Sequence, residues 1–152
     1  MTDKIELLLA DLKRNIPFSD KQKANISKSN VGWHIEHSLL TLDRIIDRLS
    51  QTDSRDYKWK VSLPRLFVFT TNIIPRGRAE SPGSVRPTGD ITRENLTQHI
   101  SSTKEKITEL TLMSPGQFFE HPYFGHLKLK QAIKFLEIHT KHHLKIIKDI
   151  KD

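Results

Sequence analysis

The chain has no cysteine, and that absence excludes disulfides, thiolate metal sites, iron–sulfur clusters and cysteine nucleophiles together. It also lacks any apolar run near the ~20 residues that cross a bilayer. With Asp3 and Glu6 near the start, no signal peptide is expected. No membrane partner is expected, and the default expectation is a soluble cytoplasmic protein. Repeats at a solenoid period and low-complexity tracts are missing too, which removes repeat arrays from consideration.

What is present is a polar chain of 152 residues, 36% hydrophobic and 28% charged. That length suits one helical domain over 1–152, and such a fold buries roughly 68–70% of the surface that its unfolded chain exposes. Lys and Arg number 25 against 18 Asp and Glu, for a net charge of +7. A basic balance is one footprint of nucleic-acid binding, but only when clustered with a reading motif. Lys130, Lys134, Lys141, Lys145 and Lys148 fall within about 60° of one another on an ideal helix, opposite its apolar side. No helix-turn-helix, zinc finger or RNP-type motif accompanies them. The stripe therefore reads as a solvated outer face, and nucleic acid is not the expected partner.

Apolar spacing predicts a helix over 3–16, through Ile5, Leu8, Leu9, Leu12 and Ile16. A second runs over 31–49, with Val31, Ile35, Leu42, Ile45, Ile46 and Leu49 on one face and Trp33, His37 and Leu40 on another. A helix apolar on two sides is central rather than peripheral. Residues 54–74 read as helical, with Pro64 in a first turn. The stretch 75–90 carries three of the seven prolines and three of the six glycines and reads as a long loop. A helix over 92–113 follows, then an aromatic-rich second loop over 114–127, then a last helix over 128–150. The sum is an all-α four-helix bundle in which the middle loop permits a long crossover. Both loops are expected to shape the mouth of a pocket, with Phe118, Phe119, Tyr123 and Phe124 as its apolar wall.

Eight histidines stand at 34, 37, 99, 121, 126, 139, 142 and 143. His139 and His143 lie one turn apart, inside or beside the stripe made by Leu129, Ala132, Ile133, Leu136, Ile147 and Ile150. Two imidazoles at i, i+4 on one helical face can hold one cation, yet they need a third ligand from elsewhere. His34, His37, His121 and His126 are all available, and periodicity alone does not choose among them.

The stretches NVGWHIEH, at 30–37, and HPYFGHLKLKQAIKFLEIHTKHH, at 121–143, resemble the DinB/YfiT-like superfamily of metal-dependent enzymes. Together with PRGRAESPGSVRPTGD, at 75–90, they are most similar to its DUF1569 branch. The resemblance covers most of residues 30–145. It implies a four-helix bundle with a long crossover, and a metal site of one His from the second helix plus the first and last His of H-x-x-HH. By position those are His37, His139 and His143. His34 and His126 remain extra candidates, as further ligands or acid–base groups. Lys145 stands where the family often has Gln. Three neutral imidazoles leave an open position on a Zn²⁺- or Ni²⁺-like ion. The resemblance points to a small-molecule substrate, with a low-molecular-weight thiol or water activated for transfer or hydrolysis. It leaves a homodimer open. The competing class is a non-catalytic helical module that binds nucleic acid or an acidic partner through its basic surface.

Overall fold

The computed structural model describes residues 1–152. Five helices form where the apolar spacing and capping residues place them: α1 (Asp3–Asn15), α2 (Val31–Ser50), α3 (Leu63–Thr71), α4 (Arg93–Ile107) and α5 (Leu129–Lys151). The Asn30 side chain accepts from the Trp33 backbone N–H at 2.9 Å and opens α2. Thr92 does the same for α4 through Asn95, and Ser62 for α3 through Arg65. Each of these caps satisfies one of the donors that a helix start leaves without an intrahelical partner. Asn72, with φ of 55°, turns the chain out of α3 in the left-handed region, which asparagine tolerates better than most residues.

The four long helices bury their stripes against one another. Val31, Ile35, Leu42, Ile46 and Leu49 of α2 meet Leu129, Ala132, Leu136 and Ile147 of α5 in one core with Leu9, Leu12, Leu96 and Ile107. Helix α1 packs on α4 and α5, as does α2, so consecutive helices α1 and α2 face each other mainly across the diagonal. Side-chain pairs fix the directions. Lys151 reaches Asn15, so α1 and α5 run together. Glu36 and Asp47 of α2 meet His99 and Lys106 of α4 in the same order, so those two run together. His34 meets His143 near the end of α5, so α2 and α5 are opposed. The order is up-down-down-up, which requires the long crossover between α2 and α4. No helix is long and apolar enough to cross a membrane. Lys130, Lys134, Lys141, Lys145 and Lys148 are all exposed along the outside of α5.

Two elements differ from the sequence expectation. Helix α3 covers nine residues, not all of 54–74, because Pro64 sets its first turn and Asn72 ends it. Residues 114–127 are not wholly irregular. β1 (Phe118–His121) pairs antiparallel with β2 (Gly125–Lys128) in a short hairpin. Gly125, with φ of 71°, supplies the positive-φ position that this tight turn requires.

Candidate metal centre

Three imidazoles from two opposed helices converge between α2 and α5. One ring nitrogen from each of His37, His139 and His143 lies within 4.8 Å of the others. Their ring centroids are 4.6, 4.6 and 5.1 Å apart. Their placement follows from local structure. His139 and His143 are one turn apart on α5, and His37 sits on the second apolar side of α2, where Trp33 stacks face-on against it at 4.9 Å. His37 and His143 are buried, and His139 is half-buried as a residue with its Nδ1 enclosed.

The protons of this cluster are partly fixed by its neighbours. His37 Nδ1–H donates to the Val85 carbonyl at 2.7 Å, which leaves Nε2 as a bare lone pair. That nitrogen stands 3.2 Å from His139 Nε2. His143 Nδ1 is 2.9 Å from His34 Nδ1, and His34 Nε2 is 2.9 Å from the Ser27 hydroxyl. Ser27 Oγ in turn accepts from the Ser29 backbone N–H. Burial lowers the pKa of His37, although the Val85 hydrogen bond works against the shift. Burial, reinforced by the other histidines, holds His139 and His143 well below the usual imidazole range. His34 is lowered to about 4 by burial and then by His37, His142 and Arg76. All four are neutral at physiological pH, the state in which an imidazole ligates.

These residues suit a small divalent cation. Two nitrogens at ~2.1 Å from a tetrahedral ion lie ~3.4 Å apart, close to the 3.2 Å between His37 and His139. His139 Nδ1 is buried and has no hydrogen-bond partner, so the ring has one hydrogen-bonding direction, toward His37. Metal-binding histidines commonly give their other nitrogen to a carbonyl or polar group. Val85 does this for His37, and His34 is placed to do it for His143.

The remaining histidines divide cleanly. His121 lies outside the cluster, stacked on Phe124 at 4.0 Å and edge-on to Phe135 at 4.8 Å, and Phe135 in turn lies 5.7 Å from His139. Its Nδ1 accepts from the backbone N–H groups of Tyr123 and Phe124, so it braces the hairpin. His126 stacks on Phe118 and accepts from the Lys58 backbone N–H. His142 touches the His143 ring edge-on and is lowered to about 4, by burial first and by Arg76 next. The crossover reaches the cluster through Val85, and the hairpin approaches it only indirectly, through Phe124 packed on Phe135 of α5 beside His139. Phe118 packs elsewhere, against Tyr57 and His126, and Tyr123 is exposed.

Sequence reasoning missed His99. It donates from Nδ1 to Glu36 and from Nε2 to Asp43, at 2.9 and 3.1 Å, while Asp43 also accepts from Thr103 at 2.8 Å. Burial opposes its charge, but hydrogen bonds to Asp43 and Glu36 outweigh that and push it up to about 9. The signal was Glu36 and Asp43, seven apart on one face of α2. Glu36 is thereby turned to α4 rather than to His37, and no carboxylate stands among the three clustered imidazoles.

Comparison with known proteins agrees with this architecture. The DinB superfamily model matches residues 11–147, and the chain belongs to that superfamily, whose members often bind metal. A relative in Bacillus subtilis (strain 168), the uncharacterized protein YuaE, is 40% identical over 63 residues. That match covers 41% of this chain and 35% of the relative, about a third of its length. No solved structure matches the chain.

Proposed function

We propose that His37, His139 and His143 hold one divalent cation, Zn²⁺ or Ni²⁺, and that the protein is a metal-dependent enzyme acting on a small molecule. The observation that carries this is the meeting of three neutral imidazole nitrogens within 4.8 Å, with the His37 tautomer fixed by the Val85 carbonyl. An ion held by three neutral ligands keeps its full charge and an open position, and so supplies activation of a thiol or water near neutral pH. The chain's own residues do the rest. Val85 and His34 orient two rings, Trp33 stacks over His37, and His139 is the least buried residue of the three. A thiol substrate, transferred to an electrophile, is the favoured reaction, since no carboxylate base stands in the cluster to serve hydrolysis. Placement in the DUF1569 branch, on the strength of segments 30–37, 75–90 and 121–143, belongs to the same proposal.

The test is metal analysis of protein purified without a histidine tag, followed by a screen of thiols against electrophilic substrates. Stoichiometric metal that disappears in His143→Ala supports the reading. Protein that takes up no Zn²⁺ or Ni²⁺ would replace it with a non-catalytic helical module.

A further inference from the structure

Helix α3 does not bury its apolar stripe. Leu63, Leu66, Phe67 and Thr70 follow the i, i+3, i+4, i+7 spacing that usually faces a core. Yet Leu63, Leu66 and Phe67 are 72%, 64% and 49% exposed, and of this helix only Val68 is buried. The extended segment before it adds Trp59 and Val61, 66% and 70% exposed. A groove of about 370 Å³ lies between that segment, α3 and the first turn of α5, lined by Trp59, Val61, Leu66, Phe69, Arg65 and Gln131 among others. Elsewhere, exposed large apolar residues such as Leu7, Phe18 and Leu112 are scattered along the chain. A contiguous apolar face of this kind marks an interaction site.

Its charge selects the partner. Residues 57–79 contain five Lys or Arg and no Asp or Glu. Lys58, Lys60, Arg65 and Lys134 have no carboxylate partner in the chain. Two of them are held in place at the groove. Arg65 donates to the Lys60 and Phe124 carbonyls at 2.7 and 3.3 Å, and Lys134 donates to the Phe69 carbonyl at 2.9 Å. Unpaired, positioned cations around an apolar groove complement a surface with apolar anchors and carboxylates. A second copy of this chain would bring like charges face to face. Single-stranded nucleic acid prefers successive aromatic platforms, and here the aliphatic Val61, Leu63 and Leu66 stand between Trp59 and Phe67 in the chain.

We propose that this groove docks an acidic amphipathic helix of a protein partner. Its apolar side sits on Trp59, Leu63 and Leu66, and its carboxylates meet Lys58, Lys60, Arg65 and Lys134. This is the helix-in-groove mode of recognition, and it stands independently of any chemistry at the histidines.

The probe is a fluorescein-labelled synthetic helix with Leu on one stripe and Glu elsewhere, followed by fluorescence polarisation, with a Lys-for-Glu counterpart. The Glu peptide is expected to bind, more weakly as salt is raised, and the Lys peptide is not. Trp59→Ala or Leu66→Ser should weaken binding by about tenfold or more, and Arg65→Gln with Lys134→Gln, which removes two of the four cations, should remove about half of the salt dependence. The apolar residues replaced are exposed, and unchanged circular-dichroism melts confirm that the variants fold. Failure of the Glu peptide to bind, or binding indifferent to Leu66→Ser, overturns the proposal. So does tighter association with phosphatidylcholine–phosphatidylserine vesicles at about 7:3 or with oligothymidylate. A concentration-dependent dimer dissolved by Leu66→Ser would assign the face to a second copy instead.

Discussion

The relay behind His143 can be removed without touching a proposed ligand. For His143 to offer Nε2 to a cation, its Nδ1 must carry the proton and give it to His34 Nδ1, 2.9 Å away. His34 must then donate from Nε2 to Ser27, also at 2.9 Å. His34→Ala deletes the acceptor, frees the His143 ring to rotate and leaves its Nδ1–H buried without a partner. Loss of such an orienting contact costs roughly 10–100-fold in metal affinity, or about 1.4–2.7 kcal/mol. Zn²⁺ competition against a chromophoric chelator measures this directly. His34→Gln keeps an acceptor oxygen and should recover part of the loss. Ser27→Ala, one step further out, should show a smaller effect with little change in folding. Nitrogen-15 shifts of metal-free protein should report His143 protonated at Nδ1. Wild-type Zn²⁺ affinity in a folded His34→Ala protein would refute the relay, while leaving His37, His139 and His143 as the proposed ligands.

Replacing His143 with Ala should abolish metal uptake and turnover while preserving the far-ultraviolet circular dichroism, because the core of the bundle is formed by aliphatic stripes. Stability should fall on mild acidification. The buried histidines have folded pKa values below the usual 6.5, so unfolded chains take up protons first, and stability present above about pH 6.5 is lost toward the folded value of about 4 for His34 and His121. His99 runs the other way. Its stabilisation is complete below its unfolded value and fades as pH rises from there through about 9, so melts recorded across pH should show a maximum near neutrality, falling on both sides. His99→Leu leaves Glu36 and Asp43 facing each other in a partly buried site and should cost about 2 kcal/mol in urea unfolding. Lys141→Glu, on the solvated side of α5, should leave both metal affinity and melting unchanged.

The four long helices were legible because each carries a complete apolar stripe, and Asn30 and Thr92 also mark the starts of α2 and α4. The extent of α3 was not. Trp59, Val61, Leu66 and Ile73 look like core residues in a one-dimensional pattern, and only their tertiary surroundings leave them exposed. The hairpin escaped notice because its strands are four residues each, too short for alternation to register, and they lie in a stretch punctuated by Pro115, Gly116, Pro122 and Gly125. Within the candidate site, the i, i+4 pair on α5 was visible in the spacing. The choice between His34 and His37 was not, since both are buried and three apart on α2. What separates them is a carbonyl 48 positions away, and no local pattern contains it.

That carbonyl has a consequence for how the crossover can vary. A backbone oxygen is common to all residue types, so the acceptor that His37 receives does not depend on which side chain occupies position 85. Any small apolar residue able to fill the buried space of Val85 preserves it. The path of the chain is the quantity under constraint. A deletion within 75–90 pulls the oxygen away from a bond of 2.7 Å and changes which nitrogen of His37 carries the proton. The segment can therefore drift widely in composition at constant length, whereas a change of a single residue in length reaches the imidazole directly.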